Sequence, residues 1–299
     1  MKKKLMWLAI LIPAVLVVIV FSTIGLARMK IGGTLELTKE TVEVPTSPED
    51  IAEGRRLFVT RSCVDCHGDD LSGNVVIDDP LVGVMAGSNL TSGKGGRAPA
   101  YKTTSDWVMA IRHGVDPQGN KLVFMPSYEF HHFSDAEVGK LIAYIQSVPP
   151  VDNTPPKTTP GFMLSLFYLK GDLPLIAAEL IGSGTPHGNG SRPEPGVALG
   201  EYLAQGCIGC HGPGLSGGSI PGVPPDFPKG ANITTDEATG IGKWTEANFQ
   251  ALMQTGKRPD GSDVNPFMPW KNFGAMTPEE LSSLWQFLRT VPAKPFGNR

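Results

Sequence analysis

The sequence predicts a mainly α-helical chain, in which one helix long enough to cross a membrane precedes two tandem copies of a small helical domain. Three observations carry this expectation. Leu5 to Leu26 is a run of 22 residues without a charge. The four cysteines fall into two identical Cys-x-x-Cys-His patterns, Cys63-Val64-Asp65-Cys66-His67 and Cys207-Ile208-Gly209-Cys210-His211. Around each pattern about 100 residues repeat the same short segments in the same order, the self-similarity expected of a duplicated structural unit.

The N-terminal run would form about 33 Å of helix at ~1.5 Å per residue, enough to cross a hydrocarbon core, with Pro13 placed to kink it. Lys2, Lys3 and Lys4 precede it, and the positive-inside tendency keeps that end cytoplasmic. The expectation is a single-pass protein of the cytoplasmic membrane, in contact with lipid through this helix, with everything after Arg28 on the periplasmic side. A cleaved signal peptide is the alternative, because Gly25-Leu26-Ala27 offers small residues at a peptidase spacing; a signal core, however, usually runs only about 7–15 residues. Both readings export the rest of the chain.

Charged residues make up 18% of the chain and the formal net charge is −3, so no broad basic surface suited to nucleic acid is implied. Glycine and proline together fill 36 + 27 = 63 of 299 positions, which makes much of each domain loop. A small loop-rich domain has difficulty burying enough apolar surface and needs a staple such as a disulfide, a metal or a large cofactor.

The cysteines indicate which staple. Cys-x-x-Cys-His is the spacing of c-type haem attachment. Residues i and i+3 share a helix face, so Cys63 with Cys66, and Cys207 with Cys210, can reach the two vinyl groups of one haem. His67 and His211 then present an imidazole to each iron. A Cys-x-x-Cys pair also serves disulfides, redox dithiols and zinc sites, but the following histidine, twice over in an exported chain, favours two covalently bound haem c groups.

Beyond the motifs, Leu71-Ser72-Gly73 answers Leu215-Ser216-Gly217, Asn89-Leu90-Thr91 answers Asn232-Ile233-Thr234, and Phe124-Met125-Pro126 answers Phe267-Met268-Pro269. The histidine-to-methionine separations are 125 − 67 = 58 and 268 − 211 = 57. Met125 and Met268 are therefore read as the second axial ligands, soft neutral donors that favour reduced iron, each presented by a loop that a proline stiffens. Met85, Met109, Met163, Met253 and Met276 are read as core. His113, His131 and His132 are rival ligands in the first half without counterparts in the second, where Thr255, Gly274 and Ala275 align. His187, in a Gly/Pro/Ser stretch, is read as solvated. Asn89 and Asn232 match glycosylation acceptors, but their repeated position points to a shared structural role.

After each methionine a helix starts on a capping box, Ser134-Asp135-Ala136-Glu137 and Thr277-Pro278-Glu279-Glu280. Apolar residues then recur at helical spacing at Val138, Leu141, Ile142 and Ile145, and at Leu281, Leu284, Trp285 and Leu288. Before each motif lies a helical stretch with a glycine, Gly54 or Gly200, that permits close helix crossing. First and last helices are expected to pack behind the haem. Phe162 to Ile181 is apolar, yet Lys170, Asp172, Pro174 and Glu179 argue against a second membrane span; it is expected between the haem domains or on the membrane surface. The divisions are therefore residues 1–27 for the anchor, 28–47 a linker, 48–150 the first domain, 151–195 a linker with the apolar segment, and 196–299 the second domain.

These residues resemble the class I cytochrome c family. The order Cys-x-x-Cys-His, Asn-Ile-Thr, Gly-Ile-Gly-x-Trp-Thr (Gly240 to Thr245), Met-Pro, capped helix is similar to the cytochrome c subunits of bacterial membrane-bound dehydrogenases. The likeness is strongest in the second half, since Ser92 to Lys102 replaces the Gly-Ile-Gly-x-Trp pattern in the first; those subunits typically carry three haems and this chain has two motifs. The resemblance implies three to five helices around each haem and electron transfer without substrate chemistry. The expected partners are a dehydrogenase or quinol-oxidising donor and a cytochrome or terminal-oxidase acceptor. A dihaem enzyme of the peroxidase or thiosulfate-oxidising type is the alternative, and it requires one haem to open or carry another ligand. A sensing or assembly role is a third reading, disfavoured by the absence of a cytoplasmic domain.

Overall fold

A computed structural model describes residues 2–181, 191–221 and 227–298; His187 lies outside them. In chain order the elements are α1 (Lys2–Ile31), α2 (Pro48–Thr60), α3 (Cys63–His67), β1 (Val75–Asp79), β2 (Gly83–Ala86), α4 (Thr104–His113), α5 (Ser127–Phe130), α6 (Asp135–Ser147), β3 (Thr159–Pro160), α7 (Phe162–Lys170), α8 (Ala177–Ile181), α9 (Val197–Ala204), α10 (Ile208–His211), α11 (Glu246–Thr255), α12 (Trp270–Phe273) and α13 (Pro278–Thr290). The chain is mainly helical, as the sequence leads one to expect, and among the described residues α1 is the one helix long and apolar enough to span a membrane, over Ala9–Ile31.

Each repeat is built on a crossing of its first and last helices, α2 on α6 and α9 on α13. The glycines make the crossing possible. A Cβ on Gly54 would stand 2.0 Å from the carbonyl oxygen of Lys140, and one on Gly200 would stand 2.0 Å from that of Ser283, so the backbones meet where any side chain would separate them. Both expected capping boxes are present, with Ser134 and Glu137 starting α6 and Thr277 and Glu280 starting α13. Two more, Thr103 with Asp106 and Thr245 with Asn248, start α4 and α11. Apolar faces of these helices form one core per repeat, centred on Leu57, Trp107 and Ile142 in the first and on Leu203, Phe249 and Leu284 in the second.

A third apolar cluster joins the fully buried Ala27 of α1 to Val115, Tyr168, Leu175 and Ile176. Helices α7 and α8 therefore pack on the end of α1 and on the first repeat, through α4 and α5, and do not lie between the two haem domains. Their charges are satisfied there. Lys121 donates to Lys30 O at 2.9 Å and pairs with Glu179 at 3.0 Å, Tyr168 donates to the same carboxylate at 2.8 Å, and Lys30 stands 4.3 Å over the Tyr168 ring.

A three-stranded antiparallel sheet, order β1-β2-β3, is the element with no counterpart in the sequence reading. Its tight turn is made by Asp79, whose carboxylate accepts from Leu81 N and Val82 N at 2.8 and 2.9 Å. The third strand comes from Thr159–Pro160, paired with Gly83 and Val84. Upstream, residues 34–45 also lie on the first repeat: Leu35 N donates to Gly119 O, and Gly139 leaves room for Glu43 O, 2.1 Å from where its Cβ would be.

Candidate haem-binding sites

The attachment motif forms α3 in the first repeat and α10 in the second. Each of these short helices is stopped by a glycine in the left-handed region, Gly68 at φ 78° and Gly212 at φ 79°, where other residues are disfavoured. The chain then folds back on the motif. Gly73 N donates to His67 O at 2.8 Å and Gly217 N to His211 O at 2.9 Å; Leu90 N donates to Leu71 O and Ile233 N to Leu215 O. The echoed Leu-Ser-Gly and Asn-x-Thr segments are thus two sides of one loop closure.

Asn89 and Asn232 hold that closure from inside. Each is buried, accepts from the N–H and hydroxyl of the threonine two residues on, and donates to a carbonyl beyond the last helix, Val151 O or Lys294 O, both at 2.8 Å. Neither amide is exposed for a glycan. The carbonyl just before each asparagine orients the motif imidazole: His67 Nδ1 lies 2.8 Å from Ser88 O and His211 Nδ1 lies 2.7 Å from Ala231 O. A ring nitrogen facing a carbonyl carries the proton, which puts the lone pair on Nε2, the form a metal takes. Burial also holds the His67 pKa below its ordinary value, against the Ser88 hydrogen bond, so that ring is neutral.

In each repeat one cavity gathers all four residues expected to hold a haem. The first, of about 290 Å³, is lined by Cys63, Cys66, His67 and Met125 together with Trp107 and Leu141. The second, of about 420 Å³, is lined by Cys207, Cys210, His211 and Met268 together with Trp244 and Leu284. The donor set fits haem c. Burial pushes the thiols up, to about 12 at Cys63, about 11 at Cys66 and about 12 at Cys207, unlike the lowered thiols of a reactive dithiol. None of the four is in a disulfide. Among the described residues no group of three or more His, Cys, Asp or Glu converges on another metal position.

The rival histidines are engaged elsewhere. His131 Nδ1 donates to Arg112 O at 3.1 Å and its ring meets that of His113 edge-on; His113 pairs with Glu40 at 3.0 Å; His132 donates to Tyr202 O at 3.2 Å. His132 also lines the second cavity, and burial first, then the Arg61 charge, pushes its pKa down to about 4.

The two cavities share a wall. Arg61, Ser62, Glu129, Phe130 and Phe133 line both. The Arg61 side chain is buried and pairs with Glu137 at 3.4 Å, while its Nε is buried with no hydrogen-bond partner, a polar donor left over at the edge of both cavities that suits a haem carboxylate. Burial pushes Glu129 up to about 7, against a lowering hydrogen bond from Tyr128. Sequence reasoning missed both residues, because their counterparts in the second repeat are Gln205 and Asn272 and nothing echoes.

The wall belongs to an interface of reciprocal contacts. Arg56, two residues after Gly54, donates to Glu280 at 2.5 and 3.0 Å; Tyr202, two residues after Gly200, donates to Glu137, which stands where Glu280 stands in the other repeat. Asn272, four residues after Met268, donates to Asp65 at 3.0 Å, and Glu129, four residues after Met125, lies against Gly209, the counterpart of Asp65. Arg56 reaches Ala275 O at 3.4 Å as His132 reaches Tyr202 O. These contacts join the same pairs of positions in both directions, the signature of a two-fold relation. Arg192 ties both glutamates, at 2.5 Å to Glu280 and 3.8 Å to Glu137.

The comparisons with known proteins agree with this architecture. The cytochrome c family model matches residues 51–149 and 197–292, about two thirds of the chain. Over 280 residues the chain is 26% identical to the cytochrome c subunit of the quinone alcohol dehydrogenase of Gluconobacter oxydans, covering 83% of this chain and 56% of that protein. It is 32% identical over 107 residues to the fructose dehydrogenase cytochrome subunit of Gluconobacter japonicus, covering 33% of this chain and 22% of that one. To a dihaem cytochrome c-type protein of Cereibacter sphaeroides it is 30% identical over 102 residues, covering 30% and 34%. The chain thus spans about half the length of the first of these relatives and less of the others. Two copies of the matched domain, and with them two covalently bound haem c groups, make this chain a member of the cytochrome c family.

Proposed function

We propose that the chain is a membrane-anchored electron relay that accepts electrons from a dehydrogenase or quinol-oxidising complex and passes them to a downstream cytochrome or terminal oxidase. The observation that carries this reading is that each cavity gathers two thiols, one imidazole and one thioether, and that the two cavities abut through a common wall. Bound haem c supplies a one-electron ferric/ferrous couple. Cys63 and Cys66 tether one haem and Cys207 and Cys210 the other. His67 and His211 give the nitrogen ligand, held in register by Ser88 O and Ala231 O. Met125 and Met268 would each give a bound iron a thioether ligand, leaving no position on it for peroxide, oxygen or a sulfur substrate. The apolar walls exclude water, and Arg61 stands ready to neutralise carboxylate charge where the cavities meet.

Retention of α1 as the anchor is supported by the burial of Ala27 and by the packing of Ile31 in the third cluster. Cleavage after Ala27 would remove part of that cluster. The relatives named for dehydrogenase subunits support a donor of that class.

The experiment is the optical spectrum of the purified chain in both redox states, with a pyridine haemochrome count and added carbon monoxide. We expect two haems per chain, both low-spin, a near-infrared sulfur-to-iron band, and no carbon monoxide adduct. A haem that binds carbon monoxide in the native state would replace the relay with a dihaem enzyme.

A further inference from the structure

The two Phe-Met-Pro loops match in sequence but are held in different ways. In the first repeat Phe124 takes a left-handed backbone, φ 71°, which its counterpart Phe267 does not share. Its N–H donates to Leu175 O, 51 residues away in the linker, at 2.9 Å, while Val123 and Phe124 pack into the cluster of Ala27, Leu175 and Ile176. Leu175, Ile176 and Ala177 are each only 1% exposed. The segment that covers the Met125 loop is thus the same one that grips the end of α1.

In the second repeat the Phe267 N–H donates to the side chain of Asn265 in its own loop, at 2.9 Å, and Phe267 remains 48% exposed with its ring against Phe227, centroids 4.4 Å apart. Among the described residues this loop is held by Asn265 within it and by the half-exposed ring contact to Phe227, so opening it costs less than moving a buried segment. A loop pinned to a buried segment opens only if that segment moves too.

We propose that the linker holds the Met125 loop, so that Met125 is the firm axial ligand and Met268 the exchangeable one, with Phe124 and Leu175 as positioning residues for the Met125 sulfur. The inference rests on the reading that both methionines ligate iron. When an external imidazole displaces a methionine, one iron–sulfur bond breaks and one iron–nitrogen bond forms. No electron is gained or lost, and the freed thioether stays on the chain.

The test is an imidazole titration of the full-length oxidised protein in detergent, followed on the near-infrared sulfur-to-iron band. Two displacement phases are expected, the low-concentration phase being absent in Met268→Leu. Phe124→Ala should bring the second phase down by about tenfold in imidazole, equivalent to ~1.4 kcal/mol, while leaving the first phase within about twofold. Leu175→Ala loosens the linker without changing a residue of the loop and should reproduce the Phe124→Ala shift, so it decides the matter if Phe124→Ala yields no holoprotein. A wild-type band that falls in one phase, or in the reverse order, overturns the proposal while leaving methionine ligation intact. A full-strength band in Met125→Leu, or no band in the wild type, would overturn the ligation itself.

Discussion

Asn89 and Asn232 each spend the whole hydrogen-bonding capacity of one amide on closing the loop that carries the histidine's carbonyl partner. Replacing either by alanine strands the backbone N–H of the threonine two residues on and leaves that threonine hydroxyl and the carbonyl with only each other, at 3.2 Å in the first repeat and 3.4 Å in the second, an unmet buried group costing about 1–3 kcal/mol. We expect a fall of at least about 2 kcal/mol in unfolding free energy for each variant, read from urea melts, and loss of haem from the repeat concerned. Arg61 is a different case, since it is a cation on the wall of both cavities. A nearby positive charge favours the reduced iron, so Arg61→Gln should lower both midpoint potentials in a spectroelectrochemical titration; a shift in one alone would assign Arg61 to a single cavity. Legibility followed chemistry. The cysteines, histidines and methionines could be read because haem attachment demands a spacing and the chain repeats it, whereas Arg61, Glu129 and the left-handed Phe124 owe their roles to residues far along the chain and have no echo.

The helix pairs α2–α6 and α9–α13 depend on glycine at their point of closest approach. Gly54→Ala and Gly200→Ala place a methyl where a carbonyl oxygen stands, 2.0 Å from the ideal position in both. The helices must part, at a cost of ~1–3 kcal/mol each, the range for overpacking. Thermal melts should show both variants destabilised, with the double variant close to additive because the two crossings share no residue. These elements were readable in advance because their caps, apolar spacing and glycines are local signals. The β1–β2 hairpin was not. Val75-Val76-Ile77 has no alternation to mark a half-buried strand, and its sheet is completed by Thr159 and Pro160 from beyond α6. The apolar stretch after that strand breaks into α7 and α8 around Gly171, which sits at φ 82°.

At the scale of the molecule the two repeats are clamped by Glu137 and Glu280, each also the capping-box glutamate of its own last helix. Burial pushes the Glu280 carboxyl up, but hydrogen bonds from Arg56 and Thr277 N–H, with the charges of Arg56 and Arg192, outweigh it and hold it at about 2 against an ordinary 4.5. A carboxyl with a depressed folded pKa stabilises above its unfolded value and loses that contribution as pH falls toward the folded one. The clamp is therefore intact above about pH 4.5 and fades between there and about pH 2. The contribution has an upper bound of about 3 kcal/mol, at ~1.36 kcal/mol per pH unit. We expect the melting temperature of wild type to drop across that window more steeply than that of Glu280→Gln, which starts lower; parallel curves would remove Glu280 from the clamp. The reciprocal pattern of Arg56 with Glu280 and Tyr202 with Glu137 has a further consequence. Two identical subunits meeting this way would be compelled to use the same residue on both sides, and would have to find each other in solution. Joined in one chain, the halves see each other at an effective concentration on the order of millimolar, so a modest polar contact suffices and each side is free to diverge. Arginine on one side corresponds to tyrosine on the other, asparagine faces aspartate on one side and glutamate faces glycine on the other. Two otherwise equivalent redox centres thereby acquire unequal surroundings, the condition under which electron flow through a dimeric scaffold has a preferred direction.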